Sequence, residues 1–240
     1  MRAVICGANG AMGKLLQQRF TEIAGLVSLD GENGVARTFD ELGDVKAQVV
    51  VDFSHHSAAP QAAAYAVKEG CALVVGTTGH TEEEKAAIYE AAKVVPVFYA
   101  GNMSLGIAVL CRLAKEAAHS FPDADIEIVE IHHNRKVDAP SGTAKMLFEA
   151  VKEVRPQSVA NCGRAGEGKR TADEIGISSL RLGSIVGIHE VHICTDSQRL
   201  TLRHEACDRG MFADGALEAA KFLMDKPAGL YNMENLLENR

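Results

Sequence analysis

Arg2-Ala3-Val4-Ile5-Cys6-Gly7-Ala8-Asn9-Gly10-Ala11-Met12-Gly13 opens with five residues of apolar strand character, passes through a glycine loop, and continues into the helical pattern KLLQQRFTEI. Strand, loop and helix in that order form the first half of a dinucleotide-binding βαβ unit. Its glycines permit a tight turn, close approach of a pyrophosphate, and packing of helix on strand. A GxxGxxG spacing alone also suits a purely structural turn; the flanking strand and helix favour cofactor binding. The next strand is expected at Leu26 to Asp30, and it ends on an acid near the spacing of roughly 20 residues at which a carboxylate grips an adenosine ribose. Gly31 follows where a pocket for a 2′-phosphate would place an arginine. That favours NADH over NADPH, with Lys14 and Arg37 the cations that folding could bring near.

Further strands are expected at Ala47 to Phe53, Cys71 to Val75 and Pro96 to Tyr99. Their unbroken apolar character suits parallel strands covered on both faces. Each runs into a turn rich in small polar residues: Ser54-His55-His56-Ser57, Gly76-Thr77-Thr78-Gly79 and Ala100-Gly101-Asn102-Met103-Ser104. Such turns share one edge of a parallel sheet, and ligands bind at that edge. The His55-His56 pair has no third ligand at metal spacing, so a cap and loop is the expectation there. Thr81-Glu82-Glu83-Glu84 reads as a capping box opening a helix.

Past a helix at Gly106 to His119 the pattern changes. A strand ending at His133 and a helix from Ser141 to Val154 come first. A glycine- and charge-rich segment, Gly163 to Glu174, is expected to be a mobile loop; its Arg164 and Lys169 could reach an anionic substrate, with solvation the favoured reading. Short strands follow at Ile177 to Leu182, Gly187 to Thr195 and Arg199 to Ala206, the signature of an antiparallel or mixed sheet. The final helix, Met211 to Met224, has the character of the first domain, and Asp208-Arg209-Gly210 is placed as a hinge. The expected fold is α/β: a Rossmann-like parallel-sheet domain from residues 1–103 and 209–240, and a central α+β mixed-sheet domain from 104–208.

Composition narrows the function. With 240 residues, 47% hydrophobic, the chain can bury a substantial core, and 25 Lys+Arg against 32 Asp+Glu leave a net charge of −7. That balance argues against nucleic acid and anionic membranes as partners, so an anionic ligand needs a local basic pocket. The start at a strand rather than a charged and apolar leader, with no long apolar run, gives a cytoplasmic expectation. Cys6, Cys71, Cys111, Cys162, Cys194 and Cys207 are scattered without CxxC pairing and read as reduced core filler. No GxSxG, HExxH or P-loop occurs, and His189 and His192, an i, i+3 pair on a strand, point to opposite faces and make poor metal geometry. No metal site is expected; the pair reads as structural or solvent-facing.

The basic pocket is offered by Glu130 to Thr143, EIHHNRKVDAPSGT. His132, His133, Arg135 and Lys136 stand where a strand gives way to a loop. Histidine can hold and release a proton near neutral pH. Ser141-Gly142-Thr143 then opens a helix whose unpaired amides attract a carboxylate or phosphate. Asp138 could orient the lysine or act as a base, but before Ala-Pro-Ser shaping the turn is favoured.

The HHNRKVDAPSGTA string, with the GxxGxMG start, the GTTG and AGNMS turns, the RLGSIVG strand pair and the MFADGA helix, closely resembles the 4-hydroxy-tetrahydrodipicolinate reductase family, formerly dihydrodipicolinate reductases. The likeness spans nearly the whole chain. It implies a homotetramer with an NAD(P)-binding domain from both chain ends and a central domain for substrate binding and association. It also implies a lysine/diaminopimelate-pathway reduction of a small cyclic dicarboxylate by NADH or NADPH. By motif position, Gly7, Ala8, Asn9, Gly10, Ala11 and Met12 would hold the pyrophosphate, Asp30 the adenosine ribose, and Gly76, Thr77, Thr78, Ala100, Gly101, Asn102 and Met103 the nicotinamide side. His132 is implied as proton donor with Lys136 its partner, and His133, Ser141, Gly142 and Thr143 as the carboxylate grip. Ala11, Gly31 and Met103 depart from what some relatives carry, which bears on cofactor preference and not on the reaction. A dehydrogenase of another small acid would keep the same glycine loop and anion site. A non-catalytic NAD sensor would keep only the first.

Overall fold

The apolar run Ala3–Cys6 is wholly buried and forms β1 (Arg2–Cys6), an interior strand of a six-stranded parallel sheet. The structure, a computed structural model, describes residues 1–240 apart from the Asn33 side chain. Its chain forms two compact units, Met1–Ser104 with Gly210–Arg240, and Leu105–Arg209.

In the first unit, α1 (Ala11–Arg19), β2 (Glu22–Val27), β3 (Val49–Asp52), α2 (Ala59–Glu69), β4 (Ala72–Val75), α3 (Glu82–Ala92) and β5 (Pro96–Tyr99) follow in turn. The strand order is β2-β1-β3-β4-β5, extended by β11 (Gly229–Tyr231) beside β5. The chain runs outward from β1 to β2 and then crosses to β3 on the other side. The gap between the ends of β1 and β3 is thus the topological switch point, where open α/β sheets take their ligands. Strands β3 and β4 are buried at every position, which fits their continuous valine and leucine runs. Helix α6 (Gly210–Leu223) turns its small residues Ala213, Gly215, Ala216, Ala219 and Ala220 inward, and Gly215 meets the Met103 carbonyl where any Cβ would collide, at 1.7 Å. The final LYNMENLL segment builds β11 and the capped α7 (Met233–Glu238).

One strand differs from its expected place. β2 ends at Val27, and Asp30 lies beyond it in a turn closed by the Gly31 amide donating to Ser28 O (3.0 Å), with Gly31 at φ 61°. A bridge between Val27 and Ala36 then folds the chain back on itself. Leu29 is 61% exposed, so the apolar letters of Leu26 to Leu29 do not mark one buried strand.

In the second unit, α4 (Leu105–Ser120), β6 (Asp125–His132), α5 (Gly142–Lys152), β7 (Val159–Cys162), β8 (Glu174–Arg181), β9 (Gly187–Cys194) and β10 (Arg199–Ala206) build a mixed sheet of order β10-β9-β6-β8-β7. The strands β7, β8 and β6 are parallel, while β9 and β10 are antiparallel. Ile126, Ile128, Ile175, Ile177, Val191 and Ile193 share one face with the apolar sides of α4 and α5. The segment expected to be a mobile loop is tied down by Arg170, which reaches Asp125 (2.7 Å) and Glu127 (2.6 Å), and by Arg164, which pairs with Glu174. All six cysteines are free, but Cys162 and Cys207 are exposed and so do not fill a core.

Candidate active site

In the first unit, the glycine loop is shaped by backbone crowding. Gly7 adopts φ 84°, and a Cβ there would lie 2.3 Å from Phe53 O. A Cβ on Gly13 would lie 2.1 Å from Gly7 O, so helix and loop close only around glycine, whereas Gly10 is exposed and open to a ligand. Gln17 secures the turn by donating to Ala8 O (2.8 Å). Gly10 caps α1 without any side-chain bond, so the Ala11 and Met12 amides face outward at a helix N-terminus, the standard cradle for a phosphate. Asn9 Nδ2 donates to Asp30 Oδ1 (2.5 Å) and joins loop and carboxylate in one place. Chiefly that bond holds the exposed Asp30 carboxyl below its usual range.

Met12 also lines a cavity of about 260 Å³ with Phe53, Ser54, His55, His56, Gly76, Thr77 and Thr78. Thr77 Oγ1 accepts from the Ser54 amide (2.9 Å), linking the turns after β3 and β4, and the Phe53 ring covers Gly76 where a Cβ would lie 2.3 Å from it. Asp52 is fully buried beneath, its pKa pushed up by burial. Thr78 comes within 3.9 Å of the place a Cβ would take on Gly101. Asn102 accepts from the Ser104 amide (2.8 Å), and Met103 is buried under α6. His55 caps a short 3-10 turn, and His56 binds both Glu84 oxygens, which fits the cap-and-loop expectation for this pair. The residues assigned to a dinucleotide thus gather at one sheet edge, with helix amides and open glycine backbone suited to a pyrophosphate and Asp30 suited to a ribose.

In the second unit, β6 is apolar at one end and polar at the other, on the same face. Ile126 and Ile128 give way to Glu130 and His132, both buried. Arg181 on β8 grips Glu130 through two bonds, 2.7 and 2.8 Å, and also donates to Asp138 O (2.6 Å). The Ser141 amide donates to the same carboxylate (3.1 Å), and His132 Nδ1 lies 2.5 Å from it. Burial works against the Glu130 charge, but the bonds from His132, Arg181 and Ser141 outweigh it and hold the carboxyl well below the usual range. A carboxylate on Nδ1 fixes that nitrogen as the N–H and leaves Nε2 to exchange a proton.

His189 packs edge-on against His132 with ring centroids 5.1 Å apart, and its Nε2 lies 3.1 Å from Ser141 Oγ. Burial pushes its pKa down to about 4, so it is neutral at pH 7 and part of the buried frame, not solvent-facing. His192 bonds Glu190 (3.0 Å) and Thr201 (3.2 Å). Lys136 Nζ pairs with Asp138 Oδ1 (2.7 Å), so Asp138 orients the lysine while its carbonyl shapes the turn through Arg181. The Ala139–Pro140 bond is cis. Ser141 caps α5 by accepting from the Ala144 amide (3.2 Å), and nothing lies within 4 Å of a Cβ placed on Gly142. His133 has its pKa lowered by desolvation and by the charges of Arg135, Arg209 and Lys136, and its Nδ1 is buried without a hydrogen-bond partner. His133 thus combines a lowered pKa with a buried, unpartnered nitrogen, while α5 separately offers an uncrowded N-terminus at Gly142. Glu130, Arg181 and His189 were not singled out as site residues from the sequence; the one available signal was the buried phase of Glu130 in the strand alternation.

Residues 1–103 match the family described as dihydrodipicolinate reductase, N-terminus, and residues 106–237 match its C-terminal counterpart. The chain belongs to this family. A 4-hydroxy-tetrahydrodipicolinate reductase of Caldanaerobacter subterraneus is 42% identical over 99% of this chain and 98% of its own, and that of Alkaliphilus metalliredigens is 39% identical over 99% of both. Among solved structures, a dipicolinate-bound dihydrodipicolinate reductase from Paenisporosarcina superposes with TM-score 0.80 at 27% identity, covering 98% of each chain. An amine dehydrogenase of Mycobacterium smegmatis, TM-score 0.64 at 13% identity, shares the fold alone.

Proposed function

We propose that this protein reduces 4-hydroxy-tetrahydrodipicolinate to tetrahydrodipicolinate with NADH or NADPH, serving lysine and diaminopimelate synthesis. The observation that carries the reading is the joint presence of an Asn9–Asp30-anchored glycine loop, a buried Glu130–His132 pair, and a Lys136 held by Asp138 in the loop that follows it. Relatives named for this reaction match the chain from end to end, and the Paenisporosarcina relative was solved with dipicolinate, a planar ring bearing two carboxylates.

A reduced nicotinamide bound there would supply a hydride, two electrons with one proton, to the unsaturated substrate ring, with water lost before or during that step. The glycine loop and the α1 amides bind the pyrophosphate, and Asp30 takes the ribose hydroxyls. Gly76 to Thr78 and Ala100 to Met103 form the nicotinamide side. His133 and the Gly142 and Thr143 amides hold the substrate carboxylates, at a helix start that Ser141 fixes through His189 and Ala144. Lys136, oriented by Asp138, and His132, oriented by Glu130, provide the proton that balances the hydride. Aligning two reactants is worth roughly 7 to 11 kcal/mol of barrier, and general-acid help adds about 10²- to 10⁴-fold. NADH is favoured on the ground that Gly31 itself carries no guanidinium directly after Asp30, although the Arg37 side chain lies across that glycine.

Residues 1–103 and 209–240 act as the dinucleotide domain and 104–208 as the substrate and association domain. The sheet face opposite α4 and α5 carries Val129, Ile131 and the 40%-exposed Leu180, which supports self-association, read as a homotetramer. Among the described residues no helix is long and apolar enough to cross a membrane, and the net charge of −7 supports a cytoplasmic enzyme without nucleic-acid partners.

The test is oxidation of NADH, and in parallel NADPH, by purified protein supplied with the product of aspartate semialdehyde and pyruvate condensation, generated in place by the upstream synthase. Fast oxidation that needs every component supports the reading. NADH binding without oxidation leaves the dinucleotide site standing and removes the substrate.

A further inference from the structure

The two histidines that follow β3 share a cavity with Met12 and the Gly76 to Thr78 turn, yet the assigned dinucleotide contacts leave both unused. Their rings lie 4.0 Å apart, centroid to centroid, tilted by 38°. Their Nδ1 atoms are occupied in opposite ways. At His55 the Ser57 amide donates to Nδ1 (3.4 Å), and a backbone N–H can only donate, so Nδ1 carries the lone pair and Nε2 the hydrogen of the neutral ring. At His56, Nδ1 lies 2.8 and 2.9 Å from the two oxygens of Glu84, and a carboxylate can only accept, so there the hydrogen is on Nδ1 and the lone pair on Nε2. Glu84 is held in turn by the Thr81 amide (2.8 Å) in the capping box of α3, a bond that chiefly keeps its carboxyl below the usual range. Ser57 and Glu84 are not among the residues lining the cavity, which leaves the Nε2 edges of the two rings as the ones turned toward it. One imidazole thus presents a donor and its neighbour an acceptor.

We infer that His55 and His56 form a diol clamp for the cofactor: His56 Nε2 accepts one hydroxyl hydrogen of the nicotinamide ribose, while His55 Nε2 donates to the oxygen of the adjacent hydroxyl. The inference rests on the dinucleotide reading of this sheet edge and adds a contact to it. A pyrophosphate bears acceptors alone and would set negative oxygens against the His56 lone pair, whereas a vicinal diol offers donor and acceptor side by side. With Asp30 serving the adenosine ribose, and the cavity walled by the turn on the nicotinamide side, the diol that remains is that of the second ribose. Glu84 and the Ser57 amide are then positioning groups, each setting which nitrogen of its histidine carries the hydrogen.

The experiment titrates wild type, His56→Ala and His56→Gln with NADH, read by nicotinamide fluorescence in the absence of substrate, and with ADP, read by its displacement of NADH. His56→Ala should weaken NADH by about three- to tenfold, the loss of one hydrogen bond, and change ADP, which lacks the second ribose, by less than about twofold. Retained ADP affinity also shows that the variant is folded. His56→Gln, whose side-chain oxygen can replace the Nε2 lone pair, should recover part of the loss. Imidazole nitrogen shifts in NMR spectra of the free wild type, above neutral pH, should report opposite tautomers for the two rings. Equal losses for NADH and ADP would put the pair at the adenosine half or the pyrophosphate and overturn the inference, as would unchanged NADH affinity in His56→Ala or one tautomer shared by both rings. Failure of the wild type to bind NADH would instead overturn the dinucleotide reading itself.

Discussion

The glycine loop of the first unit and the polar end of β6 in the second are built on opposite principles. The first is made of backbone: Gly7 and Gly13 fit by lacking side chains, and the groups the loop can offer a ligand are amides at a helix start. The second is made of side chains locked together in a buried network, Glu130 gripped by Arg181, His132 and the Ser141 amide at once. A dinucleotide needs a shaped surface with fixed dipoles. Proton transfer needs groups held in one tautomer and one direction, which costs desolvation and demands complete pairing.

That contrast predicts unequal responses to substitution. Glu130→Gln keeps the shape but breaks a buried ion pair, and should cost about 3 to 5 kcal/mol of stability along with most of the turnover. Urea unfolding at pH 7 measures it; a loss below about 1 kcal/mol would mean the network is dispensable.

Gly13→Ala forces a Cβ against Gly7 O and should cost about 1 to 3 kcal/mol as overpacking, with cofactor affinity falling alongside. Comparing its melting curve with and without NADH checks both effects.

His189 gives the second unit a pH signature. Its pKa falls from 6.5 to about 4 on folding, so the unfolded chain binds the proton more readily, and the stability is full above pH 6.5 and lost as pH falls toward 4. Between pH 7 and pH 5 the loss should be about 2 kcal/mol, on the order of one and a half pKa units at 1.36 kcal/mol each. Urea titrations of His189→Gln at the two pH values should show that slope removed.

The smallest effect is expected at Asp30, which is exposed: Asp30→Ala should weaken NADH by about five- to tenfold, roughly one hydrogen bond, with kcat unchanged. Unchanged affinity in a fluorescence titration would take Asp30 out of the site.

The same contrast explains what could be read from the sequence. A backbone site writes itself into contiguous letters, so the Gly7 to Gly13 loop, the GTTG turn and the parallel strands β1, β3, β4 and β5 were legible. His132, His133 and Lys136 were legible because they crowd into one short run. Arg181 and His189 come from β8 and β9, and only strand pairing brings them to Glu130 and Ser141. Leu26 to Asp30 misled for a local reason: the chain leaves the sheet at Val27 to make the left-handed turn at Gly31, and an exposed Leu29 carries the same letter as a buried one. Arg37 reaches that turn through a backbone bridge that no periodicity announces.

The division of labour between the two sites is tested most directly in Lys136→Ala, by measuring kcat with the synthase-generated substrate and NADH affinity on the same preparation. The account predicts that kcat falls by about 10²- to 10⁴-fold, the range for a lost general acid, while NADH affinity stays within about twofold. Equal losses in both, or turnover that survives the substitution, would contradict the assignment of proton transfer to the β6 end.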